Sequence, residues 1–221
     1  MFRTAVILSV SALLGACSVL PGSDNDRTSA RPAAGKTIAA SPASRQCLGQ
    51  LDAAGAHFIV KPDRYAGNGC SAINIVSLNA MRGDIAKFTV TNLATVSCPV
   101  ATTFAAWSRY GVDRAARQIL GSPIERVETM GSYACRNVAG TGRRSAHSTA
   151  DAVDVSAFVL KDGRRISLAS GWKSPDARER EFLRTVHQSA CKRFGTVLGP
   201  DYNSAHHDHL HLERGDGTFC R

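Results

Sequence analysis

Alternation and four-residue spacing of apolar positions divide the chain into readable stretches. Ala72 to Leu78 (AINIVSL) predicts a strand, Gly83-Asp84 breaks it, and Phe88-Thr89-Val90 resumes an extended pattern. From Ser97 the period changes. Val100, Phe104 and Trp107 fall at steps of four and three, predicting a helix to about Tyr110 with Pro99 in its first turn. Trp107 at that spacing is expected in the core rather than as an exposed platform. Ala115 to Leu120 reads as a second helical piece stopped by Gly121, and Ile124 to Met130 as a strand. Ala152 to Leu160 (AVDVSAFVL) predicts another strand, turning at Lys161-Asp162-Gly163 into Arg165 to Leu168. Ser174-Pro175 is expected to open a helix whose apolar face is Phe182, Val186, Ala190 and Phe194, with Gly195 as its stop. His187 on that helix is expected to be structural or exposed. Cys47 to Val60 shows no clear period. The mixture predicts an α+β fold: a small antiparallel sheet with helices packed on one side.

The N-terminus follows another logic. Met1-Phe2-Arg3 is a short positive start, and Ala5 to Leu14 is an apolar run too short to span a bilayer. It ends in Leu14-Gly15-Ala16-Cys17, which resembles a bacterial lipoprotein signal cleaved before Cys17, whose sulfur would carry lipid. Ser18 rather than aspartate then favours the outer membrane, by analogy with enterobacterial sorting. Ser18 to about Arg45 is rich in Ser, Ala, Pro, Gly, Asp and Arg and buries too little to offset its ordering entropy. The expected organisation is a signal over 1–16, a lipidated cysteine and flexible linker over 17–45, and one domain over 46–221.

Charge changes this picture little. The formal net charge of +9 fits any anionic partner, and no basic block with interleaved aromatics points to nucleic acid. Cysteine says more. With Cys17 assigned to lipid, six remain (Cys47, Cys70, Cys98, Cys135, Cys191 and Cys220), and in an oxidising compartment they read as three disulfides. None of them has C-x-x-C spacing for a metal. Sequence proximity, which makes loops easiest to close, favours Cys47–Cys70, Cys98–Cys135 and Cys191–Cys220.

Two stretches carry the chemistry. One runs Ser145-Ala146-His147-Ser148-Thr149-Ala150-Asp151-Ala152-Val153-Asp154; the other is His206-His207-Asp208-His209-Leu210-His211. Five of the seven histidines lie in them. If the second stretch is extended, His209 and His211 project from one face while Leu210 and Leu212 enter a core. A histidine and a carboxylate from elsewhere would complete three protein ligands with an imidazole of this strand, leaving a fourth position for water. Such a site polarises a carbonyl and needs a base and an oxyanion donor nearby.

Ser145-x-His147-x-x-Ala150-x-Ala152-x-Asp154 and His209-x-His211 resemble the paired motifs of the metallopeptidase group that contains lysostaphin-type, D-Ala-D-Ala and hedgehog-type domains. More closely, the chain from about Cys47 to Cys220 resembles the bacterial extensin-like C-terminal domain family. That likeness rests on Gly131-Ser132-Tyr133-Ala134-Cys135-Arg136 and on Phe194-Gly195-Thr196-Val197-Leu198-Gly199-Pro200-Asp201-Tyr202-Asn203. The resemblance implies that His147, Asp154 and His211 bind Zn2+. It implies that His209 orients or deprotonates the attacking water, and that His206 is a further acid/base candidate, as in penicillin-insensitive murein endopeptidases. Where D-Ala-D-Ala peptidases place a glutamate, this chain has Asp208, whose short side chain is expected to point away. Arg136 matches an arginine that steadies substrate or oxyanion; Arg143 and Arg144 read equally as a solvated basic loop. Ala150 replaces the glycine usual in the motif. If that position needs positive φ, alanine costs about 1 kcal/mol there.

An exported, lipid-tethered, basic domain of this kind is expected to meet peptidoglycan stem peptides, the membrane through its lipid, and cell-wall enzymes as possible partners. The expected activity is D,D-endopeptidase cleavage of cross-links. The alternatives are a D,D-carboxypeptidase and a non-catalytic, zinc-stabilised domain that binds wall or a partner.

Overall fold

Ser41 and Pro42 start the ordered domain for a local reason. In the computed structural model, which describes residues 41–221, Ser41 Oγ accepts a hydrogen bond from the Ser44 N–H at 3.1 Å, and Pro42 occupies the first turn. Helix α1 (Pro42–Ala53) therefore begins within the stretch expected to be linker, and it buries Cys47 and Leu51. This Ser-Pro start is the same signal read at residues 174–175. The expected signal over 1–16 and the lipid-bearing Cys17 lie outside the described residues.

Strands β1 (His57–Val60), β2 (Arg64–Gly67), β3 (Cys70–Ala72), β4 (Ile75–Arg82), β5 (Lys87–Thr91) and β6 (Val96–Ser97) follow. The single strand expected over Ala72 to Leu78 is thus divided. Asn74 adopts φ 52, its N–H donates to Asp63 Oδ1 and its carbonyl accepts from the Cys98 N–H. Asparagine tolerates the left-handed region because its short polar side chain finds local partners; here Oδ1 accepts from Ser44 Oγ at 2.7 Å.

Helix α2 (Cys98–Trp107) continues without a break through wide π-type turns at Ser108–Asp113 and Ala116–Leu120, until Gly121 ends it at φ 76. The two helical pieces read from sequence are one run. Hydrogen bonds from Arg114 and Arg109, joined by Arg117, gather on Asp84 and hold its carboxyl far below the usual range. Trp107 is fully buried. Its ring packs on Phe104, Phe158 and Phe194, and its Nε1–H donates to the Val186 carbonyl at 3.0 Å. At Gly111 a Cβ would stand 2.2 Å from Ser189 Oγ, so the helices approach where no side chain intervenes.

Strands β7 (Ile124–Gly131), β8 (Ala152–Leu160) and β9 (Arg165–Ser167) lead to the short α3 (Leu168–Gly171) and to α4 (Ala177–Cys191). The cap of α4 is Asp176, whose carboxylate accepts from the Arg178 N–H, two residues beyond the serine expected in that role. Both residue types cap, and Asp176 supplies the stronger acceptor. Phe182, Val186 and Ala190 are buried as their spacing requires, and Phe194 is buried just past the helix end. Strands β10 (Thr196–Leu198), β11 (Leu210–Glu213) and β12 (Phe219–Cys220) complete the chain.

The sheet is larger and less regular than the small antiparallel one expected. Ten strands join, with the path β1-β4-β5-β7-β8-β11-β10-β12 and with β6 on β4 and β9 on β8. Two pairs are parallel, β5 with β7 and β10 with β12. The first follows from the helical crossover between its strands, since a parallel neighbour cannot be reached by a tight turn. On β8 and β11, Val153, Val155, Leu210 and Leu212 are fully buried and share one core with the apolar faces of α1, α2 and α4. The period of two then places Asp154 and His211 on the opposite face, as direct cross-strand partners.

Among the described residues three disulfides hold the fold: Cys47–Cys98, Cys70–Cys135 and Cys191–Cys220. Only the last is the pair expected from sequence proximity. The other two follow packing. Helix α1 lies on α2, which brings Cys47 to Cys98, and β3 lies against the segment that leads to His147, which brings Cys70 to Cys135.

Candidate metal centre

The turn that carries His147 is built by its neighbours. Ser145 Oγ accepts from the His147 N–H, a short 3-10 turn runs Ala146–Thr149, and Ala150 reverses the chain into β8 at φ 59, ψ 23. Ala150 does adopt positive φ, so the strain that a glycine would avoid arises here. Its carbonyl accepts from the Ser97 N–H at 3.0 Å and from Ser132 Oγ at 3.2 Å, and its methyl is buried beside Ala72, Ile75 and Tyr133. These contacts offset the strain of an L-residue in that region. Ala150→Gly should therefore change stability by no more than about 1 kcal/mol, relief of strain opposing a more flexible unfolded chain. Ala150→Val should lose about 2 kcal/mol or more, because a β-branched side chain has neither the conformation nor the space. Urea unfolding of the two variants checks the contrast.

His147, Asp154 and His211 converge. His211 Nδ1 lies 2.9 Å from Asp154 Oδ1 and 3.1 Å from His147 Nε2, and His147 Nε2 lies 3.1 Å from Asp154 Oδ2. Ligand atoms of a tetrahedral zinc with bonds of about 2.0–2.1 Å stand about 3.3–3.4 Å apart. The observed spacings, with one Asp154 oxygen toward each histidine, approach that length, and one ligand atom from each residue lies within 4.8 Å of the others. The set of two nitrogens and a carboxylate oxygen is also one that zinc accepts, with a position left for a non-protein ligand.

The groups behind the donors fix which ring nitrogen faces the cluster. The His147 Nδ1–H donates to the Ser132 carbonyl in a short hydrogen bond, leaving Nε2 free. The His211 Nε2–H donates to Glu213 Oε2 at 3.2 Å, leaving Nδ1 free. Neither Glu213 nor the Ser132 carbonyl stands out in the sequence. For Glu213, two residues past His211 on the same strand face, the period of two was the available signal. In the metal-free cluster, burial works against a charged His211, but hydrogen bonds to Asp154 and Glu213 outweigh it and raise its pKa. Burial would raise the Asp154 pKa, yet the hydrogen bonds to His147 and His211 prevail and hold it far below the usual range. Metal binding at His211 Nδ1 would compete with protonation of that ring.

The remaining candidates surround this cluster. His209 lies beside it, with Nε2 3.8 Å from Asp154 Oδ1. Its Nδ1–H donates to Asp208 Oδ1 at 2.9 Å, so Asp208 backs His209, a role the sequence reading did not assign to it. His206 stands at a ring distance of 5.1 Å from His209 and 5.9 Å from His211, with its Nδ1–H on Asn203 Oδ1. Burial, then the nearby His209 and His211, lower its pKa to about 4, and the charge of Arg136 adds to this. Arg136 is exposed, and its backbone carbonyl accepts from the Ser145 N–H at the start of the ligand turn. Arg143 and Arg144 are exposed in the same loop, closed by a bridge between Asn137 and Arg144.

A second grouping, His187 with Cys191 and Cys220, contains a disulfide and so offers no free thiolate. His187 Nε2 bonds the Arg221 carbonyl and the ring packs edge-on against Trp172, the structural role expected of it.

Residues 45–221 match the family described as extensin-like protein C-terminus. No curated protein matches the chain, and no solved structure does.

Proposed function

The chain belongs to the extensin-like protein C-terminus family, and from the histidine–aspartate cluster within that domain we propose that it is a zinc-dependent peptidase of the cell wall. The reading places it in the lysostaphin, D-Ala-D-Ala and hedgehog-type metallopeptidase group, as a D,D-endopeptidase that cleaves the cross-links between peptidoglycan stem peptides. The observation that carries it is the convergence of three donors, each histidine among them oriented by a partner behind it, beside a fourth group, His209, with its own carboxylate. A structural cluster would need no such fourth group.

His147 Nε2, one carboxylate oxygen of Asp154 and His211 Nδ1 would hold the zinc. When bound, zinc supplies a Lewis acid that polarises the scissile carbonyl and acidifies water. Asp208 holds the His209 Nδ1–H, which leaves the Nε2 lone pair facing the cluster. His209 then takes the proton of the attacking water as its oxygen bonds the carbonyl carbon, and returns a proton to the leaving amine as the C–N bond breaks. Neutral His206 lies on the outer side of His209 and can share in this transfer. Arg136, whose charge reaches His206, would bind a stem-peptide carboxylate or the developing oxyanion. A lipid on Cys17 would tether the domain to the outer membrane, in the periplasm, where the six remaining cysteines stay oxidised.

The test is digestion of purified sacculi by zinc-loaded protein, with and without chelator, and products identified by mass. Conversion of cross-linked dimers to monomers, abolished by chelator and restored by zinc, is the expected result. Loss of terminal D-alanine alone would make the enzyme a carboxypeptidase. Intact dimers with zinc bound would leave a wall-binding domain.

A further inference from the structure

Two large rings stand exposed beside the histidines and serve no core. Tyr202 is 41% exposed and Phe219 44%, and being in contact they present one joined aromatic surface. They come from the loop after β10 and from β12, and they meet edge to face at 5.8 Å. Tyr202 packs on His206 at 5.5 Å, and His206 on His209 at 5.1 Å. The rings therefore form a continuous ladder from the surface to the edge of the metal cluster.

The surroundings narrow what this platform could bind. Asp201 and Asn203 flank Tyr202 in the chain and Thr218 precedes Phe219, and all three are exposed, so the two rings have polar chain neighbours. A protein partner would need a wider apolar area. Flat faces with polar neighbours suit a pyranose, whose C–H face lies on a ring while its hydroxyls reach the polar groups around it. Charge points the same way. The Arg221 guanidinium lies over the Phe219 ring at 5.4 Å, and the charge of Arg136 is felt at His206. The carboxylates of the stem peptides, and the lactyl carboxylates freed where a stem peptide is removed, are complementary to both.

We infer that Tyr202 and Phe219 form a saccharide-binding platform that seats the glycan strand of peptidoglycan while its stem peptide enters the histidine cluster. This rests on the proposed wall substrate but not on cleavage. The disulfide Cys191–Cys220 and the parallel pairing of β12 with β10 hold Phe219 in place, so the platform is ordered before ligand arrives.

The experiment separates glycan binding from peptide cleavage. Glycan strands stripped of stem peptides are used in co-sedimentation or calorimetric titration with the zinc-loaded protein. Cleavage of a soluble cross-linked peptide that lacks sugar is followed in parallel. The double variant Tyr202→Ala, Phe219→Ala should bind glycan about tenfold or more weakly, as expected for losing stacking faces. It should cleave the sugar-free peptide as the wild type does. Leucine at both positions keeps apolar bulk without a ring face, which controls for misfolding. Wild-type glycan binding by the leucine variant, or no glycan binding by the wild type, overturns the inference. Glycan binding without any peptide cleavage would instead count against the peptidase reading and leave the platform standing.

Discussion

His209→Ala is expected to fold normally, retain zinc and lose about 100-fold or more in cleavage, the scale for removing an acid/base group. His211→Ala is expected to fail differently. His209 touches the cluster only at its edge, 3.8 Å from Asp154, and its other nitrogen is held by Asp208. Removing it leaves all three donors and their supporting bonds in place. His211 is a donor itself and the link between Asp154 and Glu213. Its loss leaves a largely buried carboxylate with one partner fewer, and zinc should be lost with it. Zinc content and cleavage of muropeptide dimers, measured on the same samples, tell the two failures apart. Equal zinc loss in both variants would show that His209 is a ligand. Undiminished cleavage by His209→Ala would remove it from the chemistry.

Removing the Cys70–Cys135 disulfide should cost stability and metal affinity together. The bridge spans 65 residues, and constraint of the unfolded chain over such a loop is worth about 4 kcal/mol. For a domain of this size that corresponds to a fall in Tm on the order of 10 °C. The location adds a local effect. Cys135 sits at the head of the loop that leads to Ser145 and His147, and the Ala134 N–H donates to the His147 carbonyl. Freeing that loop lets His147 sample positions away from Asp154 and His211, so zinc should bind more weakly in the Cys70→Ala, Cys135→Ala variant. Removing Cys191–Cys220, which lies outside the ligand loop, should lower Tm without a comparable change in zinc affinity. A zinc titration showing the same affinity in all three proteins would contradict this coupling. Peptide mapping without reductant should recover Cys47 joined to Cys98 and Cys70 joined to Cys135.

The strongest sequence inferences concerned periods and residue chemistry. Strand β8 has the bounds read from its apolar pattern, and Leu210 and Leu212 point into the core so that His211 faces Asp154 across the sheet. Both follow from alternation along an extended backbone, a covalent property of a few consecutive residues. The positive φ at Ala150 was raised only as a condition, from a resemblance whose motif usually has glycine there. Whatever depends on which elements meet was not legible. Proximity paired Cys47 with Cys70, whereas packing of α1 on α2 joined it to Cys98. The crossover through α2 made β5 and β7 parallel in a sheet expected to be antiparallel. Asp208 has a side chain too short to be placed by spacing; a one-residue step and the local turn brought it to His209. Local periodicity thus determined which donors this chain possesses and which faces they occupy. Tertiary packing decided which of them are neighbours, because contacts between distant residues depend on the whole set of buried faces and no short window contains that information.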